Sequence, residues 1–105
     1  MAGIPLDRDA LKKRYGDLYS VASAVLWAAD PIGLAALGAP SDEYEPEVGT
    51  ILARLSQATG VDEVQRIVHE EFVAWFGSDT AGPFDHYAAA AIGVWRAWKE
   101  FSAAR

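Results

Sequence analysis

An all-α fold, a small four-helix bundle with one long ordered loop between helices 1 and 2, is what this sequence predicts, and three observations carry it. Apolar residues recur at helical spacing through four stretches, no stretch alternates apolar and polar residues with period two, and Gly, Pro and short polar turns punctuate the intervals. Composition agrees. With 51% hydrophobic and 23% charged residues, a chain of 105 residues has the make-up of one globular core, reading as a single helical domain over 1–105 with no need of metal or disulfide staples.

The first helix is predicted over 7–29. Leu11, Tyr15, Leu18, Ala22, Val25 and Ala29 fall on one face, Tyr19 and Leu26 widen it, and Asp9, Lys12, Lys13, Asp17 and Ser20 mostly take the other side. Asp7 or Asp9 suits the N-cap, and Pro31, with no N–H to donate, stops the helix at Asp30. The second helix is predicted over 45–59, on an apolar series of Tyr44, Val48, Ile51, Leu52 and Leu55; Pro46 restricts its start, which falls close to Glu45 or Pro46 behind a separate turn at Asp42-Glu43-Tyr44, and Gly60 ends it in the left-handed conformation.

The third helix, over 62–76, opens with Asp62 three residues before Gln65, in the manner of a capping box. Val64, Ile67, Val68, Phe72, Trp75 and Phe76 then recur at helical spacing as far as Gly77. After a turn over 78–83, the fourth helix, over 84–103, carries Phe84, Tyr87, Ala88, Ala91, Trp95 and Trp98 along one side. Its alanines favour helix and permit a neighbour to come close.

The connection from residue 30 to 41 is too long for an ordinary helix link, and loops of that length are usually functional or held by their own side chains. Ile32, Leu34 and Leu37 are the expected anchors, with Gly33 and Gly38 turning the backbone and Pro31 and Pro40 limiting its freedom before folding. Charge singles out the same region. Between Arg14 and Arg54 there is no basic residue, yet Asp17, Asp30, Asp42, Glu43, Glu45 and Glu47 all fall there, six negative charges that match the net charge of −6. Such a balance opposes nucleic-acid binding, which needs clustered Lys and Arg to displace counterions.

Asp30, Asp42, Glu43, Glu45 and Glu47 with Tyr44 therefore form the expected partner-binding group, in which carboxylates steer a basic protein and Tyr44 supplies a buried anchor. The plainer reading of the same residues is that Asp30 and Asp42 cap backbone amides, the glutamates favour the positive end of helix 2, and Tyr44 packs inward.

Asp30-Pro31-Ile32-Gly33, Asp42-Glu43-Tyr44 and Ile51-Leu52 give residues 19–60 a resemblance to the YugE-like family of small helical bacterial proteins, marked by Trp-Asp-Pro-Ile-Gly and then Asp-Glu-Tyr. Ala29 stands here where the family motif has Trp, and Trp27 lies two residues earlier. What the resemblance implies is a helical fold; it carries no catalytic residues.

Other chemistry finds little footing. Cysteine is absent, which removes disulfides, thiol catalysis and Cys-based zinc sites and fits a reducing cytoplasm. No apolar run approaches the ~20 residues a membrane span needs, and the N-terminus has no signal-peptide pattern. His69 is followed by Glu70 and Glu71, but position 73 is Val and not the second His of a zinc-binding helix, and His86 lies beyond a Gly-Pro turn. Arg66 and Glu70 read as a surface ion pair. The serines lack a nucleophile elbow and the glycines form no phosphate loop, so no catalytic residue, metal or cofactor is expected.

Trp95 and Trp98 share a helix face, suited first to the core and alternatively to a homo-oligomer surface. The leading expectation is thus a non-enzymatic, acidic, cytoplasmic protein-binding domain, of the immunity or antitoxin kind or a regulatory binder. Two others stand beside it: a small-ligand or metal-dependent enzyme with a pocket at the 30–44 loop, and a homo-oligomeric structural module.

Overall fold

A computed structural model describes residues 13–33, 37–38 and 45–103. Every regular element among the described residues is helical, and none is a strand, as the periodicity requires. The elements are α1 (Asp17–Ala29), α2 (Glu45–Leu52), a 3-10 turn (Leu55–Gln57), α3 (Val61–Phe76), a single turn α4 (Ser78–Ala81), a second 3-10 turn (Phe84–Tyr87) and α5 (Ala88–Ala103).

The helix predicted over 7–29 is interrupted. Residues 13–15 are helical, Gly16 then turns through φ 55 and ψ −128, and α1 restarts at Asp17. A side chain resists that backbone geometry and glycine does not, so a residue that costs helix stability becomes a corner. The corner sets Tyr15 with its ring centroid 6.1 Å from that of Phe101 on α5. The proposed caps Asp7 and Asp9 lie outside the described residues. At the other end the expectation holds: α1 stops at Ala29, and Asp30 adopts the left-handed conformation (φ 46, ψ 56) with its N–H donated to the Leu26 carbonyl at 2.8 Å.

α2 begins at Glu45, where Pro46 pointed, but ends early at Leu52 and passes into the 3-10 turn. Gly60 is not its left-handed terminator. Its backbone is extended (φ −175, ψ 177), and it serves as N-cap of α3. The capping arrangement also lies elsewhere than at Asp62 and Gln65: the Glu63 carboxylate accepts from the Thr59 amide at 2.8 Å and from the Thr59 hydroxyl, while Gln65 turns inward and donates to the Phe84 carbonyl at 3.1 Å. Those Thr59 hydrogen bonds hold the Glu63 carboxyl below its ordinary range. The first turn predicted for the last helix is 3-10, and α5 proper starts at Ala88.

α5 packs against both α1 and α3, and α2 closes over α1 and α3. Tyr15 meets Phe101 and Val25 meets the Gly93 backbone, so α1 and α5 run antiparallel. A Cβ on Gly93 would lie 2.6 Å from Val25 Cγ1; this glycine lets the two helices approach. One core cluster joins the elements, with Tyr19, Leu26, Val48, Ile51, Leu55, Val64, Val68, Phe72, Tyr87 and Val94 nearly or fully buried. Full burial of each large aliphatic or aromatic side chain contributes roughly 1.5–3 kcal/mol, so this cluster holds the helices together far more than helix propensity does.

Candidate functional site

The acidic connection was the sequence's foremost candidate, and the described residues place the side chains of two of its members, Asp30 and Glu47. Asp30 sits half-buried at the left-handed corner that ends α1, its carbonyl accepting from the Gly33 amide at 3.1 Å. Asp42, Glu43 and Tyr44 lie outside the described residues, as does the side chain of Glu45. Glu47 departs from the expectation: it is 2% exposed, on the inner side of α2 beside Val48, and does not face solvent as a docking carboxylate would. Helical phase explains this, because residue 47 lies one turn before Ile51 and beside Val48, both core positions of α2, and turns inward with them.

The loop anchors divide similarly. Ile32 packs against the core as foreseen, and Leu34 lies outside the described residues. Leu37 is corrected outright. It is 82% exposed, on a turn where its amide donates to the Gly33 carbonyl at 3.2 Å. An apolar side chain so placed gains nothing from burial within this chain.

Trp95 and Trp98 are half-buried against the core and not spread on the surface. The Trp98 and Phe101 centroids are 5.8 Å apart, and the Lys99 ammonium lies 5.9 Å from the Trp95 ring centroid. Trp75 donates its indole N–H to Thr50 Oγ1 at 3.1 Å, tying α3 to α2.

Three arrangements were not visible in the sequence. His69 Nε2 lies 2.9 Å from the Gly82 carbonyl, to which it donates, and its ring sits against Phe84 (5.8 Å) and Tyr87 (5.3 Å). His86 approaches the same glycine: a Cβ there would stand 3.2 Å from His86 Nδ1. The short α4 connection thus gathers both histidines about Gly82. Second, Tyr87 donates its hydroxyl to the Ala81 carbonyl at 2.6 Å, and burial pushes its phenol up to about 12.

Third, Arg54 reaches Glu70 at 2.7 Å and Glu71 at 2.9 Å, clamping the end of α2 to α3. Glu70 also pairs at 3.6 Å with Arg66, the partner that helical spacing suggested. The hydrogen bond from Arg54 and the nearby guanidinium charges hold the Glu70 carboxyl below its usual value.

Two adjoining grooves, of about 470 and about 370 Å³, share Arg14, Tyr15 and Phe101 as walls. The Arg14 guanidinium stands 5.4 Å from the Tyr15 ring centroid, where a cation is favoured. No set of three or more metal-binding side chains converges among the described residues, and no described helix is long and apolar enough to cross a membrane. Comparison with family models, with curated proteins and with solved structures finds no match for this chain.

Proposed function

We propose that this chain is a protein-binding domain without catalysis of its own, which offers the acidic connection between α1 and α2 to a basic protein partner in the cytoplasm. The observation that carries the reading is Leu37. A large apolar residue 82% exposed within a connection flanked by acidic residues and free of basic ones combines the two requirements of a docking loop. The carboxylates raise the encounter rate, and the apolar side chain supplies contact area that water releases on binding. Glu47 takes no part, and the anchor role foreseen for Tyr44 is shared with Leu37. A binder of the immunity or antitoxin kind has this character, and membership of the YugE-like family, through Asp30-Pro31-Ile32-Gly33 and Asp42-Glu43-Tyr44, belongs to the same proposal.

A photo-reactive amino acid at position 37, used in native lysate, tests the reading. The expected result is a discrete adduct with a basic protein, formed at low ionic strength, lost as salt rises, and weakened by Asp42→Asn with Glu43→Gln. Adducts no different from those formed with the same probe at the exposed Ala74, or adducts indifferent to salt, refute it.

A further inference from the structure

We propose that the solvent face of α5 is a self-complementary surface on which a second copy of this chain docks antiparallel, across a two-fold axis at Ile92. Ile92 is 49% exposed in the second turn of the helix, where the burial of α5 is otherwise taken up by Ala90, Ala91, Val94 and Ala97 on the opposite side. Asp85, Ala89, Ile92, Arg96, Lys99 and Ala103 are all exposed, and they succeed one another at intervals of 4, 3, 4, 3 and 4 residues. From Ala89 onward that alternation keeps a straight seam along one side of α5, the pattern by which two helices lie side by side, and Asp85 precedes it on the 3-10 turn that runs into the helix. The apolar character extends onto α1, where Val21 is 44% exposed and Val25 packs on Gly93, the residue after Ile92.

Charge selects the occupant. Asp85 stands seven residues before Ile92, on the 3-10 turn that runs into α5, and Lys99 seven after it, about 12 Å and about 10 Å away at rises of ~2.0 Å per residue in the 3-10 turn and ~1.5 Å in the α-helix. With the axis at Ile92, Lys99 of each copy meets Asp85 of the other, forming two identical ion pairs around an isoleucine contact. Ala88, four residues before the axis as Arg96 is four after it, falls opposite Arg96 and leaves room for its stem. Parallel docking would set Asp85 on Asp85 and Lys99 on Lys99. A sign reversal about an apolar centre is what an isologous contact requires, whereas a foreign basic partner would call for one sign throughout. The ring of Trp95 helps hold the Lys99 ammonium near the seam, at 5.9 Å. A contact built on one 16-residue helix and the edge of α1 lies at the small end of specific interfaces, so the association is weak and depends on concentration.

Sedimentation of the intact chain over a range of concentrations, with charge reversals, tests this. The wild type is expected to shift from monomer to dimer as concentration rises. Lys99→Asp and Asp85→Lys should each weaken the dimer roughly tenfold or more, because like charges then meet at both ends. An equimolar mixture of the two variants should regain wild-type association, since every introduced charge in the mixed dimer faces its opposite. Both positions are exposed, and far-UV circular dichroism verifies that each variant keeps its fold. A wild type that stays monomeric throughout, a dimer indifferent to either reversal, or a mixture of folded variants that fails to recover overturns the proposal.

Discussion

Gly93→Ala tests the packing most sharply, because two principles assign it opposite signs. In an isolated helix the change stabilises by about 1 kcal/mol, since glycine loses more backbone freedom on folding. Here the new Cβ would lie 2.6 Å from Val25 Cγ1, 3.1 Å from Cγ2 and 3.4 Å from Cβ, against the ~3.5–4 Å at which carbon atoms attract. A helical valine is largely confined to one rotamer, so Val25 cannot swing aside and α1 must move away from α5. Overpacking of this kind costs ~1–3 kcal/mol, leaving a net loss of ~0–2 kcal/mol after the propensity gain. For a domain of this size each kcal/mol lowers Tm by roughly 4–8 °C.

The assay is a double-mutant cycle with Val25→Ala, read by urea and thermal unfolding. Gly93→Ala should destabilise the wild type and stabilise the Val25→Ala background by up to ~1 kcal/mol, an inversion of sign that reports the contact. If Gly93→Ala stabilises both backgrounds equally, the close approach of α1 and α5 is wrong.

Tyr87→Phe removes a buried bond to the Ala81 carbonyl and should cost ~1–3 kcal/mol at neutral pH, measured by urea unfolding. Because burial raises the Tyr87 phenol to about 12 against ~10 in the unfolded chain, its contribution is complete below pH ~10 and lost as pH rises through about 12; the stability of the phenylalanine variant should therefore fall less across that alkaline window. Arg54→Met should cost under about 1 kcal/mol, shrinking with added salt, since its pairs with Glu70 and Glu71 are partly exposed. Its acid unfolding should flatten too: the Glu70 carboxyl is depressed, so the pair stabilises above the unfolded carboxylate range and is lost as pH falls through the lowered value. Phe72→Ala, at a residue with 0% exposure that meets Phe76 and Tyr87, should cost ~3–5 kcal/mol, visible as a lower midpoint in any unfolding experiment.

Of the candidate site, little was legible in advance. Signs of charge along the chain are countable, but whether a carboxylate meets solvent depends on helical phase relative to the core, and this separates buried Glu47 from exposed Asp62. The apolar residues of a loop raise the same difficulty: Ile32 and Leu37 look alike in sequence, yet one lies against the core and the other stands in water. The Arg54 clamp was unreadable because its partners lie 16 and 17 residues away, beyond any helical repeat, whereas Arg66 with Glu70 obeyed the i, i+4 rule.

The sequence alone determined the all-α class, the end of α1 before Pro31, the start of α2 at Glu45, the span of α3 to Phe76 and most of the buried apolar set. These features are local: hydrophobic periodicity and a missing N–H act within a turn or two of the residue that causes them. Only the tertiary structure decided that Gly16 bends the first helix, that Gly60 begins a helix instead of ending one, that His69 holds the Gly82 carbonyl, and that Ile92 is left outside the core. Each of those outcomes depends on which surface another helix presents across the core, and distant parts of the chain settle that together when they compete to bury the same apolar area.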